Sequence, residues 1–259
     1  MKFRPCIDIH NGKVKQIVGG TLRDTGDAAL ENFSSEQDAS FFASLYREEG
    51  LSGGHVILLN PASSPWYPET RRQALLALAA FPGGLQIGGG VNPENAGEYL
   101  DAGASHVIVT SYVFRDGKIS WDNLDRMLKA VGKDHLVLDL SCRKKDGRYY
   151  IVTDRWQKFT ETCVTPEKLK AQGDRCCEFL VHAVDVEGKA SGVEKELGAL
   201  LADHCSIPVT YAGGVGTLSD LDDLRHFGKN RLDVTVGSAL DLFGGTLPYR
   251  KVISFVKNS

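Results

Sequence analysis

The feature that most constrains the fold of this chain is that its chemistry-bearing segments occur twice, in the same order, about 125 to 130 residues apart. A short apolar run that ends in Asp8 has its counterpart in a run that ends in Asp139. Each half then carries an apolar strand that runs into glycines, followed by a second turn of small residues. These turns are Gly88-Gly89-Gly90 and Thr110-Ser111 in the first half, and Gly213-Gly214 and Gly237-Ser238 in the second. The chain is therefore expected to have a duplicated fold.

The two acids and the small-residue turns predict one elongated substrate, bound between the halves of the repeat. Turns of this kind at strand ends can present backbone N–H groups to a phosphate. One such site in each half would hold a phosphate at each end of the substrate, with the acids between them. The pattern predicts acid–base chemistry on a small bis-phosphorylated molecule.

Composition restricts the expected partners to small molecules. The 259 residues carry a formal net charge of −3 with both signs interspersed, so no basic patch indicates nucleic-acid binding. No apolar stretch approaches the roughly 20 residues that a membrane helix needs, and the N-terminal residues lack the layout of a signal peptide. We expect a soluble protein without nucleic-acid or membrane partners. It would act as a monomer in the cytoplasm, or in the plastid stroma if a transit peptide has been removed.

Apolar, β-branched runs predict eight strands that alternate with helices. The runs lack polar alternation, which is typical of strands buried on both faces of a parallel sheet. They lie near residues 3–9, 55–59, 85–87, 106–110, 135–140, 178–186, 208–212 and 232–236. Eight strand-then-helix units predict a single-domain α/β fold over residues 1–259. This would be a (β/α)8 TIM barrel with a two-fold half-barrel repeat and active groups at the carboxyl ends of its strands.

Two of the strand-to-helix connections are unusually long and are expected to act as lids. They extend from about His10 to Ser34 and from about Ser141 to Thr160, whereas most such loops have about 2–6 residues. Each follows one of the paired aspartates directly, which is where a lid would exclude water. The dipeptide Asp146-Gly147 predicts a hairpin turn in the second connection.

Asp8 and Asp139 are the candidate catalytic residues. An acid at the carboxyl end of a barrel strand faces the mouth of the barrel, where burial raises the pKa of a carboxyl group toward neutrality. Either aspartate alone could instead pair with a nearby lysine, such as Lys13 or Lys144. Their matching positions on the first and fifth strands favour catalysis. Two carboxyl groups in different surroundings can divide the roles of base and acid.

Two pairs of turns are the candidate phosphate sites. A single glycine run is a weak signal, because loops need glycine for positive φ in any case. Four turns that are paired within a repeat are a stronger one, and TIM barrels usually bind phosphate after the seventh and eighth strands. We expect one site at Gly89, Gly90, Thr110 and Ser111 and the other at Gly213, Gly214, Gly237 and Ser238.

Other polar residues have two interpretations each. His10 and His182 could assist catalysis or be hydrogen-bonded structural residues. Asp185 could bind substrate hydroxyls or fix a loop, and Trp156 could stack on a flat substrate ring or anchor the hairpin. No Cys/His spacing typical of a metal site occurs, so we expect a reaction that needs neither a metal nor a cofactor.

Four segments of the chain resemble a known family of enzymes. They are Cys6–Gln16, Leu138–Arg143, His182–Gly188 and Val234–Asp241. Together they are similar to the eukaryotic-type phosphoribosylformimino-5-aminoimidazole carboxamide ribotide isomerases of histidine biosynthesis, and the likeness covers essentially the whole chain. The resemblance implies a TIM barrel that carries out an Amadori rearrangement of an aminoaldose to an aminoketose, on a substrate with a phosphate at each end.

The resemblance also implies roles for individual residues. Asp8 corresponds to the acid that removes the C2 proton, and Asp139 to the acid that protonates the ring oxygen. Arg23 and Trp156 resemble residues that clamp the substrate. The sequence departs from bacterial relatives at Ala183, where they carry a threonine, so that hydroxyl must be absent here or supplied by another group.

Two other functions fit the same sequence. The cyclase of the same pathway is a sister barrel with two strand-end aspartates and two phosphate sites, and it works with a glutaminase partner that supplies ammonia. A non-catalytic barrel could instead bind a phosphorylated ligand as a sensor. Ammonia dependence would indicate the cyclase, and ligand binding without turnover would indicate the sensor.

Overall fold

The structure is a computed structural model and describes residues 1–17, 31–153 and 156–257. The strands, in chain order, are β1 (Cys6–His10), β2 (Lys13–Ile17), β3 (Glu31–Ser34), β4 (Gly54–Leu58), β5 (Leu85–Gly88), β6 (Val107–Val109), β7 (Phe114–Arg115), β8 (Lys118–Ile119), β9 (Leu136–Asp139), β10 (Cys142–Lys145), β11 (Arg148–Thr153), β12 (Lys158–Cys163), β13 (Glu178–His182), β14 (Val209–Ala212) and β15 (Asp233–Thr235). The helices are α1 (Ala39–Glu48), α2 (Tyr67–Ala80), α3 (Ala96–Asp101), α4 (Trp121–Val131), α5 (Pro166–Gly173), α6 (Lys195–His204), α7 (Leu218–Phe227) and α8 (Tyr249–Lys257). The eight strands predicted from apolar runs are confirmed as β1, β4, β5, β6, β9, β13, β14 and β15.

These eight strands are the parallel part of one curled sheet. Within the described ranges the sheet has ten strands in the order β15-β14-β13-β9-β6-β5-β4-β1-β2-β3, and β2 and β3 extend it in antiparallel fashion. Phe3, which precedes β1, forms a parallel bridge with Val234 of β15. The amide of Arg4 donates to the carbonyl of Val234 at 2.8 Å. The start of the chain therefore lies against the last strand of the sheet.

A helix follows each of the eight parallel strands, which makes the protein an α/β fold. Helix α4 shows how the sequence specifies this layer. The Ser120 hydroxyl caps its first turn by accepting the N–H of Asn123. Leu124, Met127 and Val131 recur at helical spacing and are buried, and burial of such a side chain stabilises the fold by about 1.5–3 kcal/mol. No helix within the described ranges has the length and apolarity needed to cross a membrane.

The register of the sheet places the two candidate catalytic acids on the same face. A small apolar cluster, separate from the main core, includes Leu180 and has Ile57 packed against it. Asp8 is the register partner of Ile57, and Asp139 is the register partner of Leu180. Register partners in a parallel sheet project to the same face. Both aspartates therefore project on the face that carries the small cluster.

A buried ion pair lies on the same sheet toward the amino ends of the strands. The Nη1 atom of Arg4 lies 2.7 Å from Oε2 of Glu178, and the two side chains are only 12% and 6% exposed. Gln86 donates to Oε2 of Glu178 at 3.0 Å and Thr210 donates to its Oε1 at 2.8 Å. This one carboxylate thus joins β5, β13 and β14 to the segment before β1.

The second long connection folds into a three-stranded antiparallel sheet of β10, β11 and β12. Asp146 and Gly147 form its first turn with φ of 50° and 74°, and positive φ at both residues is what a type I′ hairpin requires. The predicted hairpin is confirmed. The first long connection contains β2 and β3, and its residues 18–30, with Arg23 among them, lie outside the described residues.

Candidate functional site

A cavity of about 330 Å³ lies at the carboxyl ends of the parallel strands. Most of the residues that the sequence singled out line it, and they come from both halves of the repeat. They are Asp8, Gly89, Gly90, Thr110, Ser111, Asp139, Trp156, His182, Gly213, Gly214, Gly237 and Ser238. The repeated segments therefore contribute to one shared cavity.

Asp8 lies on β1, is partly buried and forms part of the wall of the cavity. Burial raises the pKa of its carboxyl to about 7, and the nearby Glu187 carboxyl adds to the rise while His182 partly offsets it. At physiological pH a substantial fraction of Asp8 is ionised. A carboxylate with this pKa is well matched to removing a proton near neutrality.

Asp139 lies at the end of β9 in different surroundings. Burial alone would raise its pKa, but the charge of His182 and three hydrogen bonds lower it below the usual value. Its Oδ1 atom accepts from Nδ1 of His182 at 3.3 Å and from the Ser141 hydroxyl at 2.9 Å. Its Oδ2 atom accepts from the Thr110 hydroxyl at 3.2 Å. Asp139 is therefore a carboxylate held in place by three donors.

His182, the last residue of β13, supplies a positive charge to the cavity. Burial would lower its pKa, but Asp139 outweighs this effect and, with Glu187 and Asp8, raises the pKa to about 9. His182 and Asp139 thus form an ion pair at neutral pH. The ring of His55 lies 6.3 Å from that of His182. Burial, followed by the charge of His182, lowers the pKa of His55 to about 3, so His55 stays neutral.

Glu187 lies in the cavity wall, although no sequence pattern predicted a role for it. Its carboxyl is buried, and within the described part of the chain its Oε2 atom has no hydrogen-bond partner. Burial raises the pKa of Glu187, and the charge of Asp139 raises it further against the opposing effect of His182. Glu187 therefore keeps its proton more readily than an exposed glutamate. An acid directly before Gly188, at the mouth of the sixth parallel strand, is the signal that could have found it.

The two glycine turns have the same backbone conformation in the two halves. Gly89 and Gly90 have φ of 101° and 71°, and Gly213 and Gly214 have φ of 115° and 80°. A Cβ atom on Gly214 would lie 2.0 Å from the carbonyl oxygen of Gly192, whereas one on Gly90 would meet nothing within 4 Å. Glycine leaves these backbones free to approach a bound group closely.

Two polar turns also line the cavity, each on a strand that neighbours the strand of a glycine turn. Thr110 and Ser111 follow β6, and Gly237 and Ser238 follow β15. A Cβ atom on Gly237 would lie 2.2 Å from Oε1 of Gln16, so β2 packs closely on this turn. Hydroxyl and amide donors from two pairs of neighbouring strands, β5–β6 and β14–β15, therefore line the same cavity as the acids.

Trp156 also lines the cavity, and it is held by two contacts. Its Nε1 atom donates to the Ser141 hydroxyl at 2.8 Å. Its ring centroid lies 5.6 Å from that of His182. The indole therefore lies beside the charged imidazole in the wall of the cavity.

One predicted binding residue, Asp185, does not line the cavity, and another, Arg23, cannot be compared with it. Asp185 is not part of the lining, because its Oδ1 accepts from Nε of Arg143 at 2.8 Å and its Oδ2 from the amide of Lys144 at 2.9 Å. Both partners lie on β10, so this geometry favours the loop-fixing interpretation of Asp185. Arg23 lies outside the described residues. His10 is buried and is also absent from the lining.

The arrangement places a proton acceptor beside a group that holds a proton. Asp8 can accept a proton near neutral pH and His182 carries one under the same conditions, while the pKa of Glu187 is raised by burial. Within the residues that the structure describes, no group of three or more His, Cys, Asp or Glu side chains is placed to hold a metal ion. The absence of a cofactor stays a prediction.

Comparison with known proteins assigns the chain to a family. Residues 2–247 match the model of the family described as histidine biosynthesis protein. A chloroplastic 1-(5-phosphoribosyl)-5-((5-phosphoribosylamino)methylideneamino) imidazole-4-carboxamide isomerase from Medicago truncatula is 52% identical, over 98% of this chain and 81% of that protein. The isomerase of the same name from Neurospora crassa is 47% identical, over 94% of this chain and 93% of that protein. The one from Saccharomyces cerevisiae is 40% identical, over 95% and 94%. The chain therefore belongs to the histidine biosynthesis protein family, with these imidazole-4-carboxamide isomerases as its relatives.

Proposed function

We propose that this chain is the isomerase of histidine biosynthesis that converts a bis-phosphorylated aminoaldose into the corresponding aminoketose by an Amadori rearrangement. The observation that carries the proposal is one cavity in which Asp8, with a pKa of about 7, lies beside the His182–Asp139 ion pair. The names of the relatives, which extend over nearly the whole chain, support the same activity. They favour it over the cyclase and over a sensor.

Asp8 is the base of the proposed reaction. The rearrangement must open the sugar ring by protonating its oxygen, and it must then remove the proton on C2. Asp8 in its ionised form accepts the C2 proton, because burial keeps its pKa near the operating pH and so makes it a stronger base than an exposed aspartate. The electrons of the C2–H bond form a C1–C2 double bond, and the electrons of the C1–N double bond of the opened Schiff base move to nitrogen. The resulting enol becomes the ketone when C1 gains a proton and the C2 hydroxyl loses one.

Asp139 acts in the proposed reaction through His182. As an ionised carboxylate it has no proton of its own to give, but it holds the imidazolium of His182 by a charged contact. The proton for the ring oxygen therefore comes from the pair, carried on His182. This refines the acid role that the family resemblance implies for Asp139.

Glu187, which lines the same cavity, is a second candidate for donating a proton to the ring oxygen. Its raised pKa keeps it neutral over a wider pH range than an exposed glutamate, and its Oε2 atom has no partner among the described residues. A neutral carboxyl can donate a hydrogen bond to an oxygen that is gaining charge. Replacing Glu187 and His182 separately tells which of the two protons is used.

We place the two phosphates of the substrate at the two ends of the cavity. Gly89 and Gly90, with Thr110 and Ser111, would bind one, and Gly213 and Gly214, with Gly237 and Ser238, would bind the other. The matching positive φ values of the two glycine turns support this symmetry. Their backbone amides can approach an anion without an intervening side chain. Trp156 lines the same cavity, and its indole can pack on a flat ring of the substrate.

We also infer that the curled sheet is a closed (β/α)8 barrel and that residues 1–259 form one domain with an internal two-fold repeat. Eight strand–helix units and the Phe3–Val234 bridge between the start of the chain and β15 support closure. The repeat is supported by the placement of Asp8 and Asp139 on the same face. A monomer that binds no nucleic acid, in the cytoplasm or in a plastid, remains our expectation, and the Medicago relative is named as chloroplastic.

The direct test is turnover of the aminoaldose substrate by the purified protein. We expect the aminoketose to form without added ammonia or a glutaminase. Asp8→Asn should abolish this turnover while isothermal titration still shows substrate binding. Substrate binding without turnover by the unaltered chain would contradict the proposal, and so would consumption of the aminoketose that depends on ammonia.

A further inference from the structure

The hydroxyl of Ser141 links the second long connection, through Trp156, to the carboxylate of Asp139. Ser141 is fully buried between β9 and β10. Its Oγ atom accepts the indole N–H of Trp156 at 2.8 Å and donates to Oδ1 of Asp139 at 2.9 Å. A serine hydroxyl has a single hydrogen, so the direction of this chain is fixed when Asp139 is ionised. The order is Trp156 to Ser141 to Asp139.

The backbone of Trp156 indicates that these contacts hold the residue in place. Its φ is 67°, in the left-handed region that bulky side chains rarely adopt. Such a conformation persists where the surroundings determine it. Here the surroundings supply a hydrogen bond to Ser141 and a ring contact with His182.

Asp139 also accepts a hydrogen bond from a second hydroxyl, which is not bonded to Trp156 within the described residues. Thr110 donates to Oδ2 of Asp139 at 3.2 Å, and no bond between Thr110 and Trp156 is formed in the described part of the chain. The two hydroxyls thus serve the same carboxylate, but only that of Ser141 also contacts the indole. Loss of the Thr110 hydroxyl should therefore affect only the Asp139 carboxylate, whereas loss of the Ser141 hydroxyl should also affect the position of Trp156.

We propose that Ser141 is a positioning residue that couples the seating of Trp156 on the cavity to the orientation of the Asp139 carboxylate. The expected effect on catalysis rests on the proposed function, in which Asp139 acts through His182. The structural part of the inference rests only on the two hydrogen bonds of the buried Ser141 hydroxyl. Loss of that hydroxyl frees the indole from His182 and leaves Oδ1 of Asp139 with one donor fewer.

His182 offers a spectroscopic readout of this seating. A protonated imidazole quenches a neighbouring indole more strongly than a neutral one, so Trp156 fluorescence should rise as His182 loses its proton. The charged or titratable groups around His182 are Asp139 on β9, Asp8 on β1, Glu187 in the loop after β13 and His55 on β4. The rise should be centred near pH 9, where His182 titrates.

The experiment uses the full chain with Trp66→Phe and Trp121→Phe, so that Trp156 is the remaining tryptophan. We expect a clear fluorescence rise near pH 9 in this background and its loss in His182→Gln, which controls for tyrosine ionisation. Ser141→Ala should reduce the rise by more than half, and Thr110→Val should leave it intact. Ser141→Cys, whose thiol is a weaker donor, should give an intermediate rise.

A double-mutant cycle on turnover tests the catalytic meaning. Ser141→Ala and Trp156→Phe should each lower kcat by about tenfold, and the double variant should be no slower than either single variant. Thr110→Val combined with Trp156→Phe should show multiplied losses, because the two changes act independently.

The two arms have separate outcomes. A full fluorescence rise in Ser141→Ala would overturn the coupling, whatever the activity of the chain. Multiplied kcat losses in the Ser141 and Trp156 cycle would overturn its catalytic meaning. If the chain shows no isomerase turnover at all, the proposed function fails, while the fluorescence arm still decides whether Ser141 seats Trp156.

Discussion

The Nδ1 atom of His182 lies 3.3 Å from Oδ1 of Asp139, and this contact helps to shift the pKa values of the two cavity aspartates in opposite directions. Asp139 is held ionised by the imidazolium, so its pKa falls. Within the described ranges Asp8 forms no such ion pair, and burial raises its pKa to about 7. Two carboxyl groups from matching positions of the repeat thus differ in pKa, because His182 of β13 forms its hydrogen-bonded ion pair with Asp139 and only a weaker charge interaction with Asp8.

This difference predicts a bell-shaped dependence of kcat/KM on pH. Asp8 must be ionised to accept a proton, so activity should rise through about pH 7. His182 must be protonated to give one, so activity should fall through about pH 9. Steady-state kinetics from pH 5 to 10 at constant ionic strength measures both limbs. His182→Gln should remove the alkaline limb and keep the acidic one, and an unchanged alkaline limb in that variant would refute the donor role.

Asp8→Asn should lower kcat by several orders of magnitude and change KM by no more than a few-fold. The amide fills the same space but cannot accept the proton, so only the transition state loses an interaction. Stopped-time assays of product, with substrate affinity from calorimetry, measure the two effects. Asp101→Asn, an exposed acid at the end of α3, is the matched control and should behave as the unaltered chain. Near-normal turnover of Asp8→Asn would remove Asp8 from the mechanism.

The sequence predicted the positions of the strands, and several residues that line the cavity, for a physical reason. Strands buried on both faces leave continuous apolar runs, and glycines that need positive φ leave runs such as Gly88-Gly89-Gly90. Asp8 and Asp139 were found because the repeat marks them twice. The hairpin at Asp146-Gly147 was found because its turn requires those residues.

The remaining site residues depend on contacts between distant segments. Glu187 and His55 lie in the cavity region because neighbouring strands converge there, and no local pattern separates them from a loop acid or a core histidine. The hydrogen bond from Trp156 to Ser141 joins two residues of the second long connection, and the sequence does not predict that they meet. Asp185 had two equal interpretations from the sequence, and the position of Arg143 favours one of them.

Gly90→Ala should raise KM by about tenfold with little effect on kcat, because the methyl group would stand beside the backbone amide that we assign to a phosphate. Gly90 has φ of 71°, and a Cβ atom there would meet nothing within 4 Å. Gly83 has the same φ of 71° and equally open space, but it does not line the cavity. Gly83→Ala therefore carries the same backbone strain without the obstruction, and it should leave KM unchanged. Equal KM values for the two variants would mean that the Gly90 turn is structural.

Arg4→Ala should strongly reduce the free energy of unfolding. The guanidinium of Arg4 contacts Glu178 at 2.7 Å and Asp233 at 2.8 Å, and its loss leaves the buried Glu178 carboxylate without its cation. Removing one partner of a buried ion pair costs about 3–5 kcal/mol. The loss should be clear in urea unfolding followed by circular dichroism.

The control for this prediction is an ion pair of the same chemistry on the surface. Arg72 pairs with Glu69 on α2, where the two side chains are 53% and 45% exposed. Solvent screens such a pair, so Arg72→Ala should leave the unfolding midpoint unchanged. If both arginine variants unfold at the midpoint of the unaltered chain, the Arg4–Glu178 contact does not hold the start of the chain against β13. The Phe3–Val234 bridge would then have to hold that end of the sheet without help from the ion pair.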